Sequence, residues 1–428
     1  MRIITNKQQV IDEVLNRSQF ELEEVNKKVK DVLDNIKKNG DKALFEYTEK
    51  FDGVKLDNLK VSENEIEEAY NSLDKELIKS LEDAHNNIEK FHKNQVQKSF
   101  ITNDEEGKIL GQIVNPIEKV GIYVPGGTAP LPSTVLMNAI PAKVAGVNKI
   151  VMTTPPAKDG KISSVILAAA KIAGVTEIYK LGGAQAIGAL AFGTETVPKV
   201  YKIVGPGNIY VAMAKKQVFG SVDIDMVAGP SEVLVIADSK ANAKYIAADL
   251  LSQAEHDTLA CSILVTPSNE VANSVAREVE KQLEKLSRNE IARKSIENYG
   301  RIIVTENMNE AIDLANEIAP EHLELAVENP FDYLSRIKNA GAIFLGEYSP
   351  EPLGDYFAGP NHTLPTSGTA KFASPLSVDA FIKKSSVIYY TREALAKVKD
   401  SIIRIAESET LTAHANSVRV RFEDDKNE

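Results

Sequence analysis

Gln253 and His256, in the run LLSQAEHDT, stand three residues apart, a spacing that puts an amide oxygen and an imidazole on one helix face near its C-terminal end. Those donors suit a metal ion, although glutamine is an uncommon zinc ligand and core packing is the commoner fate of such a pair. Asp355, an acid among the loop glycines of PLGDYFAGPNH, and His414, on or beside a helix in LTAHAN, add a carboxylate and a second imidazole. If the four converged, they would form an N/O set for Zn²⁺ or a neighbouring divalent ion. Carrying one negative charge, that set leaves the metal net positive and open to substrate lone pairs.

Pro320-Glu321-His322 places a carboxylate beside an imidazole at a chain bend. Pro320 is expected to end one helix and start the next, which puts Glu321 in a first turn where the helix dipole favours its ionised form. Two proton acceptors of different basicity would then reach one cleft. A surface Glu beside a capping His is an equally good reading. His85 and His92 lie on a charged helix and are expected to be solvated, while His362 receives no role. The lone Cys261 sits in the alternating run LACSILVTP and reads as a buried, unreactive strand residue.

The elements that must position these groups alternate in type. Runs near residues 109–124, 149, 177 and 200 are β-rich, and the Ala- and Ile-rich segments 133–146, 163–174 and 184–193 between them each close near a glycine. A second series follows: strands near 232, 262, 301 and 342, with helices over 241–256 and 269–287. Such alternation predicts parallel sheets with helical crossovers, and the two series suit two Rossmann-like halves. Ligands are expected beyond the carboxyl ends of such strands. Three loops there carry glycines: Pro125-Gly126-Gly127-Thr128, Gly182-Gly183-Ala184-Gln185 and Gly205-Pro206-Gly207-Asn208. None is a phosphate-binding Gly-Lys-Ser/Thr loop, and Tyr210 breaks the dinucleotide fingerprint begun by Gly205 and Gly207. Before residue 100, a stripe from Ile66 to Phe91 predicts one helix begun by a Ser62/Glu65 capping box. The Gly- and Pro-rich stretch 349–375 reads as an ordered loop, Arg392 to about Ser408 as a helix, and EDDKNE as a frayed tail.

Composition narrows the class. The 428 residues, 43% hydrophobic and 26% charged, can build two or three domains with a substantial core. A net charge of −11 argues against duplex binding. One cysteine excludes a disulfide framework or a multi-cysteine metal site. With no signal-like apolar region and no membrane-length apolar run, the expected protein is soluble and cytoplasmic.

Taken together, the segments resemble histidinol dehydrogenases, which oxidise L-histidinol to L-histidine with two NAD⁺. The text that carries the resemblance is YVPGGTAPLPSTVLMNAIPAKVAGV, GGAQAIGALAFGTETVPKV, GPGN, DIDMVAGPSEVLVIAD, SQAEHD, APEHLEL, GDYFAGPNHTLPTSG and ETLTAHANSV, and the likeness runs from about residue 20 to residue 422. The resemblance implies one Zn²⁺ per subunit on Gln253, His256, Asp355 and His414, with Glu321 and His322 as proton acceptors. It also implies substrate contacts from Ser231, Glu409, His322 and the zinc ligands, and NAD contacts from Tyr123, Gln185 and Asn208. The implied fold is α/β, with two larger domains of incomplete Rossmann-like, mostly parallel sheets and small helical N- and C-terminal segments, in an intertwined homodimer. Its divisions are an arm over 1–15, a metal-site domain over 16–122 with 232–376, an NAD-contacting domain over 123–231, and a C-terminal segment over 377–428 serving the partner's site. The competing readings are a zinc-dependent hydrolase on the same residues, with Glu321 activating water, and a non-catalytic nucleotide- or sugar-binding protein. Neither nucleic acid nor membrane is an expected partner.

Overall fold

The charged N-terminal region is helical, as its periodicity predicts, after a short strand β1 (Arg2–Ile4). Helix α1 (Glu23–Asp52) is interrupted at Gly40, whose φ of 51° turns the chain against the Glu195 carboxylate. Helix α2 (Glu63–Ser72) begins at the expected capping box: Ser62 Oγ accepts from the Glu65 N–H at 3.2 Å, and Glu65 Oε2 accepts from the Ser62 N–H at 2.9 Å. The stripe from Ile66 to Phe91, however, is two helices. Leu73 is extended, and the Asp74 carboxylate caps α3 (Lys75–Lys93) by accepting from the Glu76 and Leu77 N–H groups. The new helix keeps the old apolar face, so periodicity alone does not reveal the break. His92 also departs from expectation, since it is buried on α3 with Nδ1 2.7 Å from Gln95 Oε1.

The computed structural model describes residues 1–5, 9, 23–126 and 130–423. Gly127, Thr128, most of the expected arm and most of the expected tail therefore lie outside the described residues. The chain divides into two compact units, 1–96 with 117–381 and 97–116 with 382–428.

After α3 come β2 (Phe100–Thr102), β3 (Lys108–Pro116) and β4 (Lys119–Tyr123), where strand–helix alternation begins. It continues through α4 (Pro132–Val144), β5 (Lys149–Thr154), α5 (Ser164–Ala173) and β6 (Glu177–Lys180). Then follow α6 (Gly183–Phe192), β7 (Lys202–Val204), α7 (Ile209–Val218) and β8 (Asp223–Ile224). The sheet runs β6-β5-β4-β7-β8, parallel throughout, with its switch point between β4 and β7. Helices α2–α5 bury one face and α1, α6 and α7 the other. The apolar faces of α1–α3 join these two cores on the five-stranded sheet.

The second series has the same winding. It comprises β9 (Glu232–Ala237), α8 (Ala243–Ala254), β10 (Cys261–Thr266), α9 (Asn269–Leu283) and α10 (Asn289–Tyr299). It closes with β11 (Arg301–Val304), α11 (Met308–Ile318), β12 (His322–Ala326), β13 (Ala342–Leu345) and α12 (Glu351–Tyr356). The order is β1-β11-β10-β9-β12-β13, again parallel, with the switch point between β9 and β12. Cys261 opens β10 and is buried, with Sγ 3.3 Å from the Tyr299 carbonyl, as its alternating context predicts.

The second unit holds β14 (Ile382–Tyr390), antiparallel to β3 along its whole length, in the order β14-β3-β2. Thr391 caps α13 (Arg392–Ser408), which is followed by α14 (Thr412–Arg419). Among the described residues, no helix is long and apolar enough to cross a membrane. Leu234, fully buried in the middle of β9, anchors the larger sheet. Leu234→Ala should lower unfolding free energy by about 2–5 kcal/mol, read from chemical denaturation; a loss under about 1 kcal/mol would contradict the packing.

Candidate active site

Glu232 is the first residue of β9, and His322, the first of β12, pairs with Val233. In a parallel strand, a residue's N–H and C=O point to the same neighbour. At the ladder's end, Glu232 turns both groups toward the start of β12, and side chains satisfy them there. Its N–H donates to Glu321 Oε2 at 2.8 Å, and its carbonyl accepts from His322 Nδ1 at 3.0 Å. A carbonyl can only accept, so Nδ1 carries a proton, and when the ring is neutral its lone pair is on Nε2. That Nε2 is buried and lies 3.4 Å from Asp355 Oδ1, outside hydrogen-bond geometry.

Glu321 is not in a helical first turn. Helix α11 stops at Ile318, Ala319 turns left-handed at φ 53°, and Pro320 leads into a strand instead. Proline's fixed φ serves either element, and here the sheet decided. Without helix-dipole support, burial pushes the Glu321 carboxyl up to about 8, against the opposing pull of His322 and the Glu232 N–H. Burial alone would lower His322, but the Glu351, Glu321 and Asp355 carboxylates around it leave it well above the usual histidine range.

Gln253 lies in the last turn of α8, and His256 sits just beyond its end, where its N–H donates to the Gln253 carbonyl at 3.2 Å. Asp355 is on α12 rather than in an open loop. Gly354 lets this helix approach β13, because a Cβ there would run into the Phe344 ring. Burial raises Asp355, yet the His322, His362 and His256 rings outweigh it and hold the carboxyl below its ordinary value. His362, left without a role by the sequence, sets its Nδ1 3.1 Å from the Asp355 carbonyl and so braces the same turn.

Sequence reasoning missed Glu351. It is buried one helical turn before Asp355, and ligand atoms of His256, Glu351 and Asp355 lie within 4.8 Å of one another. The four-residue spacing of Glu351 and Asp355 was the available signal. Burial drives the Glu351 carboxyl up to about 7, with His322 opposing. Gln253 directs its amide oxygen at this carboxylate and its amide nitrogen at the Glu232 N–H, acceptor against acceptor and donor against donor. Turning the amide over would put nitrogen 2.9 Å from Glu351 Oε2 and oxygen 3.3 Å from the Glu232 nitrogen. The donor set fits a divalent metal held by one amide, one imidazole and carboxylates.

Ser231 joins this edge, its carbonyl accepting from the Cys261 N–H at 2.9 Å. His414, on α14, and Glu409, at the end of α13, belong to the second unit. Tyr123, Gln185 and Asn208 lie at the carboxyl edge of the five-stranded sheet. Tyr123 ends β4, and its hydroxyl accepts from the Gly183 N–H at 3.2 Å, beside buried Gln185 in the first turn of α6. Burial pushes that phenol up to about 12. Asn208 caps α7, its Oδ1 accepting from the Tyr210 and Val211 N–H groups, which leaves its amide N–H₂ for other partners.

The family profile described as histidinol dehydrogenase matches residues 15–422. The chain is 61% identical over 399 residues to a histidinol dehydrogenase of Clostridium acetobutylicum, covering 93% of each chain. It is 56% identical over 430 residues to one of Listeria monocytogenes, covering 99% of this chain and all of the relative. The crystal structure of histidinol dehydrogenase from Elizabethkingia anophelis superposes with a TM-score of 0.94 at 43% identity, covering 99% of this chain and 98% of the other.

Glu351→Ala should reduce divalent-metal affinity roughly 10–100-fold, measured as metal retained after dialysis against graded chelator. Retention equal to the unaltered protein would remove Glu351 from the cluster.

Proposed function

The chain belongs to the histidinol dehydrogenase family, and from that premise we propose how its residues divide the work. The protein is an NAD-dependent dehydrogenase whose reaction is the oxidation of histidinol to histidine. His322 takes the substrate hydroxyl proton at Nε2, since its Nδ1 proton is engaged by the Glu232 carbonyl. The histidinaldehyde so formed stays bound, which keeps the orientation already gained. Glu321, held through Oε2 by the Glu232 N–H, uses its other oxygen to accept a proton from the water that adds to the aldehyde. His322, once its first proton has passed to solvent, then deprotonates the resulting diol. The observation that carries this assignment is the double hold of Glu232 on both proton acceptors.

Gln253, His256 and Asp355 would hold one Zn²⁺ per subunit, completed by His414, with Glu351 alongside. When bound, the metal supplies a template for substrate lone pairs and NAD⁺ supplies the hydride acceptor. Tyr123, Gln185 and Asn208 would contact NAD, and Ser231 and Glu409 the substrate. His414 and Glu409 lie in the second unit, so we assign them to a neighbouring subunit's site in a homodimer. Support comes from the apolar groups that unit leaves in solvent, Ile388 at 74%, Ile101 at 64% and Ile405 at 61% exposure. The lone, buried Cys261 suits a reducing, cytoplasmic setting.

Absorbance at 340 nm should register two NADH per histidinol consumed, abolished by chelation and restored by zinc. Water-dependent cleavage of a substrate without NADH would instead favour the hydrolase reading. Glu321→Gln should slow oxidation of added histidinaldehyde at least about tenfold more than the first, alcohol-oxidising turnover. Equal losses in both halves would refute the division between Glu321 and His322.

A further inference from the structure

Two charged side chains with no part in the chemistry above close on one backbone residue. Lys215, on α7, and Asp225, just after β8, form an ion pair with side-chain exposures of 2% and 1%. Lys215 Nζ donates to the Gly205 carbonyl at 2.8 Å, and Asp225 Oδ2 accepts from the Gly205 N–H at 2.8 Å. Both polar groups of a single glycine are thus held by a single ion pair. Asp225 Oδ1 also accepts from the Met226 N–H at 2.6 Å, which fixes the carboxylate.

Gly205 needs holding. It follows the last residue of β7, takes φ +116°, and packs so tightly on the Tyr123 carbonyl that a Cβ would overlap it. Three residues later Asn208 caps α7. The loop from Gly205 to Asn208 therefore hangs between the end of β4 and the start of α7, across the switch point of the five-stranded sheet. A buried ion pair is poor value as a stabiliser, because desolvating two charges offsets their attraction; what it imposes is geometry.

We propose that Lys215 and Asp225 are positioning residues for the dinucleotide: their ion pair sets the Gly205 peptide so that the loop and Asn208 receive NAD. This rests on the reading that NAD lies at this edge. Without the pair, the loop keeps its sequence but loses its single conformation, and cofactor affinity falls while the substrate and metal groups of the other sheet are untouched.

The test is NADH binding by fluorescence titration to zinc-loaded, full-length enzyme. Lys215→Met leaves Asp225 buried without its cation and can fail to fold, so Lys215→Met/Asp225→Asn, which removes both charges together, is measured beside it. The expected result is a Kd for NADH raised at least about tenfold, with zinc content and the KM for histidinol within about twofold of the unaltered enzyme. A folded double variant that binds NADH as the unaltered enzyme does would overturn the inference. So would equal losses in NADH, histidinol and zinc binding, which would mark a merely structural pair. Gln185→Ala and Asn208→Ala serve as controls: if they weaken NADH binding and the double variant does not, the clamp alone is wrong. If they too leave it unchanged, NAD sits elsewhere and the inference falls with that reading.

Discussion

Everything at the catalytic edge depends on the peptide groups of Glu232. Both face the start of β12, where the Glu321 carboxylate accepts from the N–H and His322 Nδ1 donates to the carbonyl. The arrangement orders a carboxylate and an imidazole with one rigid element. It also selects the histidine tautomer, because the same carbonyl that locates the ring must be given a proton. A loop could bring the same residues together, but not with the precision of a strand buried on both faces.

The two sheets share a winding order yet carry their candidate groups at opposite ends. In the five-stranded sheet, Tyr123, Gln185 and Asn208 gather beyond the carboxyl ends, where parallel sheets ordinarily receive ligands. In the six-stranded sheet, Glu321, His322 and Ser231 gather at the amino ends of the strands, with Gln253 and His256 where α8 returns to that edge. The candidate groups of the six-stranded sheet thus lie before its strands, and those of the five-stranded sheet after its strands. Helix α8 ends near the amino edge, so its last turn and the residues beyond it arrive there.

That edge concentrates buried acids. Glu321 is driven up to about 8 and Glu351 to about 7, and Asp249 behind them to about 6, each chiefly by burial. Acids buried together hold protons more tightly than water allows, and a dication among them would reverse the trend by favouring the charged form.

What the residues determined alone was local. The two and 3.6 periods, the Ser62 capping box, the strand around Cys261 and the glycine-closed crossover helices were legible because each depends on neighbours a turn or a strand away. Resemblance, not periodicity, joined Gln253, His256 and Asp355 beforehand, since nothing within any one segment points to the others. Tertiary structure decided the rest. It broke the Ile66–Phe91 stripe at Leu73, buried His92, turned Pro320 into a strand entry, placed Asp355 on a helix and brought in Glu351. Each of these outcomes turns on which surfaces exclude water together, and that is a property of the assembled sheets rather than of any stretch of chain.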